Sequence, residues 1–549
     1  MANAADPAAS IPSLSYLIIE DSPTMRAALR ITITTLGGTR IDMTGTYQEA
    51  VFKLVKQERK YDVILCDYHL NDNRDGQQLL EELRFRKILP YRCIFIMVTS
   101  ETGYQRVVQV VEHAPDDYMI KPFPGRFLQE RLVKQIRKKG FFSPIFSALD
   151  TNDLPAALAA VDQLLALPGA FEIELMRVKA EILAAMNLLY EARVCYEAVL
   201  AQYPLPWAKF GLARLAYHMR DLDEARRLLV EVVEASPRYM TARDFLTQVH
   251  AELGDHAQAL VVADETAQLG ERNVVRQRQR GRLALISKNI EKADEAFQIM
   301  LENGRNSVHL TVADYVSGSA TAAALGRTED ALRLLREAER TFGADDVLAA
   351  GKLAVASQIA ASGGDSENAH KALNALTQTL AKSSAAEMQV VGETALRAAA
   401  TLGDDALTEQ LMGIVLHHGH CEADAVAQVT ATLQAAGNDN MARKAEDLAR
   451  REVAELNNRA VEMARSGRMR EAMELLLRVA RKPSATSIAQ LNAAQAVLMC
   501  MDAEGWDDTL MRECQVLMAR LTASEPANPK LLKLRDMTRV VAQKFGMKI

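Results

Sequence analysis

An alanine recurs at nearly constant spacing through the middle of this 549-residue chain, and this period constrains the fold more than any other sequence feature. The intervals are 33, 34 and 34 residues, between Ala192, Ala225, Ala259 and Ala293. The chain around each alanine reads as helix, short break, helix. A small residue at each period lets two antiparallel helices approach closely. The pattern predicts an all-α helical-repeat solenoid.

The phrases around these alanines resemble the tetratricopeptide repeat. Typical phrases are Leu-Tyr-Glu-Ala-Arg and Leu-Asp-Glu-Ala-Arg. A bulky apolar residue follows four positions later in three units, and a proline stands twelve positions later in two: Tyr196, Leu229 and Phe297, then Pro204 and Pro237. The resemblance implies a concave surface that binds another protein. We assign residues 153–549 to this solenoid, with the least regular period between about 345 and 450.

The repeat is also incomplete in places. It recurs at Ala331, Ala369 and Ala472, but the usual tryptophan, glycine and tyrosine of its first helix are mostly missing. Ala180 and Ala213 occupy the small position of that helix. Individual repeat boundaries are therefore less well predicted than the architecture.

The first 139 residues follow a different pattern, in which short β-branched runs alternate with amphipathic helical stretches. This alternation is typical of an α/β doubly wound, five-stranded parallel sheet. The predicted strands are Tyr16 to Glu20, Arg40 to Thr44, Val63 to Asp67, Cys93 to Thr99 and Asp117 to Ile120. We expect a disordered tail over residues 1–13, the α/β domain over 14–139 and a linker over 140–152.

Acidic residues follow two of the predicted strands. Glu20 and Asp21 come at the end of the first strand, and Asp67 ends the third. The carboxyl ends of parallel strands meet at the edge of an open sheet where ligands bind. Three carboxylates at that edge repel one another unless cations lie among them.

Together with Thr99 and Lys121-Pro122-Phe123, these carboxylates resemble the receiver domain of two-component response regulators, a flavodoxin-like fold. The resemblance covers residues 14–139. It implies phosphorylation of Asp67 and a Mg²⁺ site formed by the carboxylates of Glu20, Asp21 and Asp67 and the backbone carbonyl of His69. It also implies that Thr99 and Lys121 bind the phosphoryl group and that Tyr118 moves inward with Thr99. The loop after Asp67 departs from the family, because it is one residue longer and lacks its proline.

Composition excludes several other classes of protein. The net charge of −6 gives no reason to expect nucleic acid as a partner, and no apolar run approaches the roughly 20 residues that membrane insertion requires. Six cysteines without CxxC spacing indicate reduced thiols and a cytoplasmic location. The sequence His417-His-Gly-His420-Cys421 has possible zinc ligands, but we interpret it as a turn between helices.

Together these features lead to the hypothesis that the chain is a phosphorelay response regulator and not a metabolic enzyme. Its only expected catalytic activities are receiver-type autophosphorylation and autodephosphorylation. Its expected partners are a histidine kinase or phosphotransfer protein and an unidentified protein bound by the repeats. One alternative is a DNA-binding transcription regulator, although the sequence has no recognisable recognition helix. Another is a phosphate sink that the repeats tether to a kinase complex.

Overall fold

The computed structural model describes most of the chain. The described residues are 11–56, 60–70, 76–100, 115–167, 171–269, 273–305, 307, 309–382, 388–418, 423–482 and 485–547. They form two compact units, Met1–Leu212 with Val232–Thr241, and Ala213–Glu231 with Ala242–Ile549. Among them, no helix combines the length and apolar character needed to cross a membrane.

The first unit contains the predicted parallel sheet. Its strands are β1 (Ser15–Ile19), β2 (Arg40–Thr44), β3 (Val63–Asp67), β4 (Ile94–Thr99) and β5 (Asp117–Ile120). They lie in the order β2-β1-β3-β4-β5, and every neighbouring pair is parallel. This order confirms the doubly wound fold, because the chain runs outward from β1 first to one edge and then to the other.

Helices cover the two faces of the sheet. The described helices of this domain are α1 (Pro23–Thr35), α2 (Tyr47–Val51), α3 (Gly76–Phe85) and α4 (Gly125–Phe141). β3 and β4 are buried along their whole length, as expected for central strands with both faces covered. The region between β4 and β5, where a further helix is predicted near Gly103, lies largely outside the described residues.

Helices continue directly beyond the sheet. The first unit goes on with α5 (Ser143–Asp150), α6 (Leu154–Leu165), α7 (Glu172–Ala185) and α8 (Leu189–Gln202). Helix α5 thus lies within the stretch predicted as a linker. The short 3-10 helix Ile11–Ser13 lies within the predicted tail, and its Ile11 side chain is buried. Tyr91 joins the sheet domain to α5, because its amide donates to Asp150 Oδ1 at 3.1 Å.

The rest of the chain is helical. Helices α9 (Pro206–His218) and α10 (Leu222–Ala235) are divided between the two units. The second unit continues with α11 (Met240–Glu252), α12 (His256–Leu269), α13 (Val274–Ile286), α14 (Ile290–Asn303), α15 (Val312–Ala324), α16 (Thr328–Phe342), α17 (Asp346–Ser362) and α18 (Ser366–Lys382). Its last helices are α19 (Met388–Leu402), α20 (Asp405–His418), α21 (Ala423–Ala435), α22 (Asp439–Arg465), α23 (Met469–Ala480), α24 (Ser487–Glu504), α25 (Asp508–Ser524) and α26 (Pro529–Lys544).

The periodic alanines are buried within these helix pairs. All seven lie in the second helix of a pair and have no solvent exposure: Ala192, Ala225, Ala259, Ala293, Ala331, Ala369 and Ala472. The residue twelve positions earlier is also small or short, as Ala213, Gly281 and Ser319 show. In one pair, Ser319 Oγ donates to the carbonyl of Ala331 at 2.8 Å. The helical repeats predicted from the alanine period are therefore confirmed.

The first helices of successive pairs form an inner layer in the second unit. In the series α15, α17, α19 and α21, each helix packs against the next, and α13 contacts α21. One continuous apolar cluster, from Ala251 to Ala449, fills the space between the layers. The inner layer therefore brings α13 and α21, which are far apart in the sequence, into contact.

Candidate functional site

Parallel register brings the predicted site residues to one edge of the sheet. Ile19 of β1 pairs with Cys66 of β3, so Glu20 and Asp67 follow at the same level. Asp67 pairs in turn with Val98, and Thr99 pairs with Ile120. Glu20, Asp67, Thr99 and Lys121 therefore meet at the carboxyl ends of four strands.

Lys121 lies between two of the carboxylates. Its Nζ atom donates to Glu20 Oε2 at 2.7 Å and to Asp67 Oδ2 at 2.9 Å. The side chain of Lys121 is 14% exposed, while Glu20 and Asp67 are 1% and 7% exposed. Removing charged groups from water is costly, and close hydrogen-bonded contacts are needed to offset that cost. The two short contacts of Lys121 therefore stabilise the buried charges of Glu20 and Asp67.

Burial and charge act on the titration of this cluster. Burial and the neighbouring charge of Asp67 raise the pKa of Glu20, although the hydrogen bond from Lys121 works in the opposite direction. Burial alone would lower the pKa of Lys121, but its hydrogen bonds to Glu20 and Asp67 outweigh that effect and raise the pKa. The lysine therefore remains a fixed positive charge at the site.

Three carboxylates are close enough to share a metal ion. Glu20, Asp21 and Asp67 each offer an oxygen, and these atoms lie within 4.8 Å of one another. Hard oxygen ligands of this kind suit Mg²⁺. Among the described hydrogen bonds, those from Lys121 are the ones that bring a cation to these carboxylate oxygens, so a divalent cation fits the remaining negative charge.

Local structure holds the first acidic pair in place. Ser22 caps the N-terminus of α1 by accepting from the amide of Met25, and Pro23 starts the helix. From the next turn of α1, the Arg26 guanidinium donates to the carbonyl of Glu20 at 2.5 Å. The sequence analysis did not identify Arg26. Its position in the first turns of the helix that follows the acidic pair is the feature that could have indicated it.

Gly76 holds the turn after β3 by its lack of a side chain. A Cβ atom at this position would overlap the carbonyl oxygen of Asp67 and lie 2.9 Å from Cys66 Sγ. The Gly76 amide donates to the carbonyl of Tyr68 at 2.8 Å. The start of α3 is thereby packed directly against the backbone of Asp67.

The remaining predicted residues, Thr99, Tyr118 and His69, lie on or just after the strands of this sheet. Thr99 is buried at the end of β4, and its carbonyl accepts from the amide of Lys121 at 2.7 Å. Tyr118 in β5 is buried in the apolar cluster beneath α2 and α3. His69 is exposed two residues after Asp67, and its role as a carbonyl ligand stays a prediction.

Two sequence features lie outside the described residues. The long loop after β3 falls within residues 71–75. The end of the histidine-rich sequence falls within residues 419–422.

Comparison with known proteins agrees with the fold of this segment. The family model of the response regulator receiver domain matches residues 16–134. Chemotaxis protein CheY homologs from Campylobacter jejuni are 27% identical over 119 residues, which cover 22% of this chain and 89% of those proteins.

Solved structures are similar to separate parts of the chain. The beryllofluoride-activated DrrB receiver domain covers 23% of this chain and 97% of its own, with 19% identity and a TM-score of 0.19. A tetratricopeptide repeat protein from Parabacteroides merdae covers 51% of this chain and 98% of its own, with 12% identity and a TM-score of 0.30.

The parallel sheet, the acidic cluster with its lysine and the family match describe the same segment of the chain. The segment is followed by paired helices with buried alanines. Residues 16–134 are a response regulator receiver domain, and the chain continues from it into helical repeats.

Proposed function

We propose that this chain is a phosphorelay response regulator in which a histidine kinase or phosphotransfer protein phosphorylates Asp67. The observation that carries the proposal is the pair of short contacts from Lys121 to Glu20 and Asp67, beside the third carboxylate of Asp21. In a structural ion pair, one carboxylate per lysine would suffice. Three carboxylates around one lysine suit a site that receives further cationic and anionic groups.

The chemistry follows from positioning and charge. A carboxylate oxygen of Asp67 attacks the phosphorus of a phosphohistidine, the phosphorus–nitrogen bond breaks, and the imidazole leaves with that electron pair. The raised pKa of Lys121 keeps its charge available for the phosphoryl oxygens. Mg²⁺ held by Glu20, Asp21, Asp67 and the carbonyl of His69 would supply the remaining charge neutralisation.

The proposed switch consists of Thr99 and Tyr118. Thr99 ends β4 one residue after Val98, which pairs with Asp67, and its hydroxyl would donate to the phosphoryl group. Tyr118 belongs to β5, which pairs with β4 through Met97. A shift of Thr99 would therefore change the packing around Tyr118 and alter the surface that partners contact.

The output we propose is binding of a protein partner by the helical repeats. Paired helices with buried alanine contacts present extended side-chain surfaces of the kind that bind peptides or helices. We also propose a cytoplasmic location, which is supported by the burial of the five described cysteines and the lack of CxxC spacing.

The phosphorylation step is tested by incubating the purified chain with acetyl phosphate and Mg²⁺, and measuring its intact mass. The wild type should gain one phosphoryl group. Asp67→Asn should gain none, whereas Glu130→Gln, which removes an exposed carboxylate on α4, should behave as wild type. Equal phosphorylation of Asp67→Asn would overturn the assignment of the acceptor.

The output is tested by affinity capture from cytosol with three baits. These are the wild type with Mg²⁺ and beryllofluoride, the untreated wild type, and Asp67→Ala with the same treatment. A partner whose recovery changes only with the treated wild type supports a phosphorylation-dependent interaction. Identical recovery with all three baits would favour a phosphate sink tethered by its repeats.

A further inference from the structure

A cavity of about 260 Å³ lies within the second unit, where the C-terminal ends of the inner helices converge. It is bounded by α13, α15, α17, α19 and α21 and by the first residue of α14. The lining residues are Leu285, Lys288, Ile290, Ala324, Gln358, Ser362, Arg397, Thr401, Ala431, Thr432, Ala435 and Ala436. No carboxylate belongs to this lining, which instead contains two basic side chains.

The lining has two kinds of surface. Leu285, Ile290 and the alanines of α21 provide aliphatic contacts. Arg397 and Thr401 on α19 and Gln358 on α17 provide polar groups. Such a combination of aliphatic surface and a few polar groups is typical of small-molecule sites.

Arg397 is the strongest indication of a ligand. Its side chain is half-buried, and its guanidinium forms no hydrogen bond or ion pair with the described residues. Burial lowers the pKa of Arg397, while the charge of Glu393, one helical turn earlier, opposes that effect. Glu393 accepts a hydrogen bond from Gln389 instead. Because the side chain is only half-buried and none of its nitrogens is among the fully buried unpaired atoms, its five donors are open to a ligand in the cavity.

Nearby polar atoms also lack partners. Gln358 is 2% exposed, and its Nε2 atom donates to the carbonyl of Ala320, but its Oε1 atom has no hydrogen-bond partner. The Thr432 hydroxyl, at 3% exposure, has none either. Buried polar atoms without partners are uncommon and mark places where a ligand or water belongs.

The helix ends around the cavity do not provide the missing acceptors. The last carbonyls of α15 and α17 already accept backbone amides, among them Arg327 to Ala322 and Asp365 to Ala360, both at 2.9 Å. The negative ends of the helix dipoles make the region suitable for the charge of Arg397 but leave its donors unused. An acceptor from outside the protein would pair with the donors of Arg397 and the Thr432 hydroxyl, while Gln358 Oε1, itself an acceptor, is left to a water.

We propose that this cavity binds a small organic oxyanion, a carboxylate or phosphate with a short aliphatic part, through Arg397 with Lys288 at the rim. Since one water occupies about 30 Å³ of liquid, the volume holds a ligand on the order of ten non-hydrogen atoms. This size excludes a nucleotide or a folded peptide segment. The two basic side chains would bind the anionic group of the ligand, and the aliphatic residues would contact its apolar part.

The inference is independent of Asp67 chemistry and is tested on the full-length chain. Isothermal titration with sodium butyrate, butyl phosphate and inorganic phosphate, against sodium chloride at equal ionic strength, distinguishes carboxylate from phosphate and tests the need for the aliphatic part. Arg397→Gln should weaken binding of the preferred probe at least about tenfold. Arg443→Gln, an exposed arginine on α22 with the same loss of charge, should leave it unchanged.

A second variant keeps the test decisive if Arg397→Gln folds poorly. Thr432→Val leaves the charge of Arg397 in place and removes an unpaired buried hydroxyl, so it should raise the Tm of the ligand-free protein and weaken probe binding. Failure of all three probes to bind above the sodium chloride background would overturn the proposal. Binding that survives both Arg397→Gln and Thr432→Val unchanged would overturn it as well.

Discussion

Asp21 differs from the other two carboxylates of the receiver site because the described contacts give its side chain no cation. It is half-buried and close to Glu20 and Asp67. In the absence of Mg²⁺, we expect Asp21→Asn to raise the free energy of unfolding by roughly 1 kcal/mol. The substitution removes the repulsion between the Asp21 carboxylate and those of Glu20 and Asp67. The same change should abolish the increase in Tm that Mg²⁺ gives the wild type. Thermal unfolding with and without Mg²⁺ measures both effects, and Glu130→Gln should leave the Mg²⁺ response intact.

The role of Gly76 could not be predicted from the sequence. A side chain at this position would overlap a backbone atom, the carbonyl oxygen of Asp67, and only the structure shows this close approach. We predict that Gly76→Ala lowers the free energy of unfolding by about 2 kcal/mol, since the carbonyl of Asp67 cannot move away cheaply. Phosphorylation by acetyl phosphate should slow in the same variant. Gly140→Ala is the matched control. It lies in helix α4 with nothing near its Cβ position, and should stabilise the protein by about 0.5 to 1 kcal/mol.

At the scale of elements, the sequence predicts the strands well and the helical middle poorly. β2, β3 and β5 have the predicted bounds, β1 is shifted by one residue and β4 starts one residue later, because β-branched runs end sharply at polar residues. The period fades after residue 345 because helices lengthen from 13 or 14 residues in α13 and α14 to 17 in α17 and α18.

Contacts between distant elements could not be predicted from the sequence at all. The packing of α13 on α21 and the cavity beside it depend on small rotations summed over many repeats. The contact of Arg26 with the carbonyl of Glu20 depends on a rotamer that no spacing rule specifies. The acidic cluster, by contrast, follows from strand order and register alone, which is why its residues were predictable.

Each helix pair depends on a small residue facing a large one, and α13 with α14 gives the clearest test. A Cβ atom at Gly281 would overlap the buried ring of Phe297, which lies four positions after Ala293. Gly281→Ala should therefore cost about 1 to 3 kcal/mol, and the cost should shrink in a Phe297→Leu background. Chemical denaturation of the four proteins in this cycle measures the coupling. Gly413 lies in a helix with nothing near its Cβ position, so Gly413→Ala should not destabilise the protein. If it lowered the free energy of unfolding as much as Gly281→Ala, the cost would arise from the helix backbone and not from the Phe297 ring.

At the scale of the molecule, the chain's two tryptophans report on different compact units. Trp207 lies in the first unit with the receiver domain, and Trp506 lies in the second. Trp506→Phe and Trp207→Phe therefore give single-tryptophan proteins whose urea unfolding follows one unit each. Beryllofluoride with Mg²⁺ at about 100 times its Kd adds about 2.7 kcal/mol to the state that binds it, or a midpoint shift near 1 M urea.

We expect that shift in the signal of Trp207, while the midpoint reported by Trp506 moves by less than about 0.2 M urea. The reason is that each unit has its own apolar clusters, so ligand binding in one need not stabilise the other. Asp67→Asn, carried in both single-tryptophan proteins, should remove the shift. Equal shifts at both tryptophans would show instead that the units unfold as one cooperative body. Phosphorylation of the receiver domain would then change the stability of the repeats as well. A change in partner binding by the repeats would not require the movement of Thr99 and Tyr118.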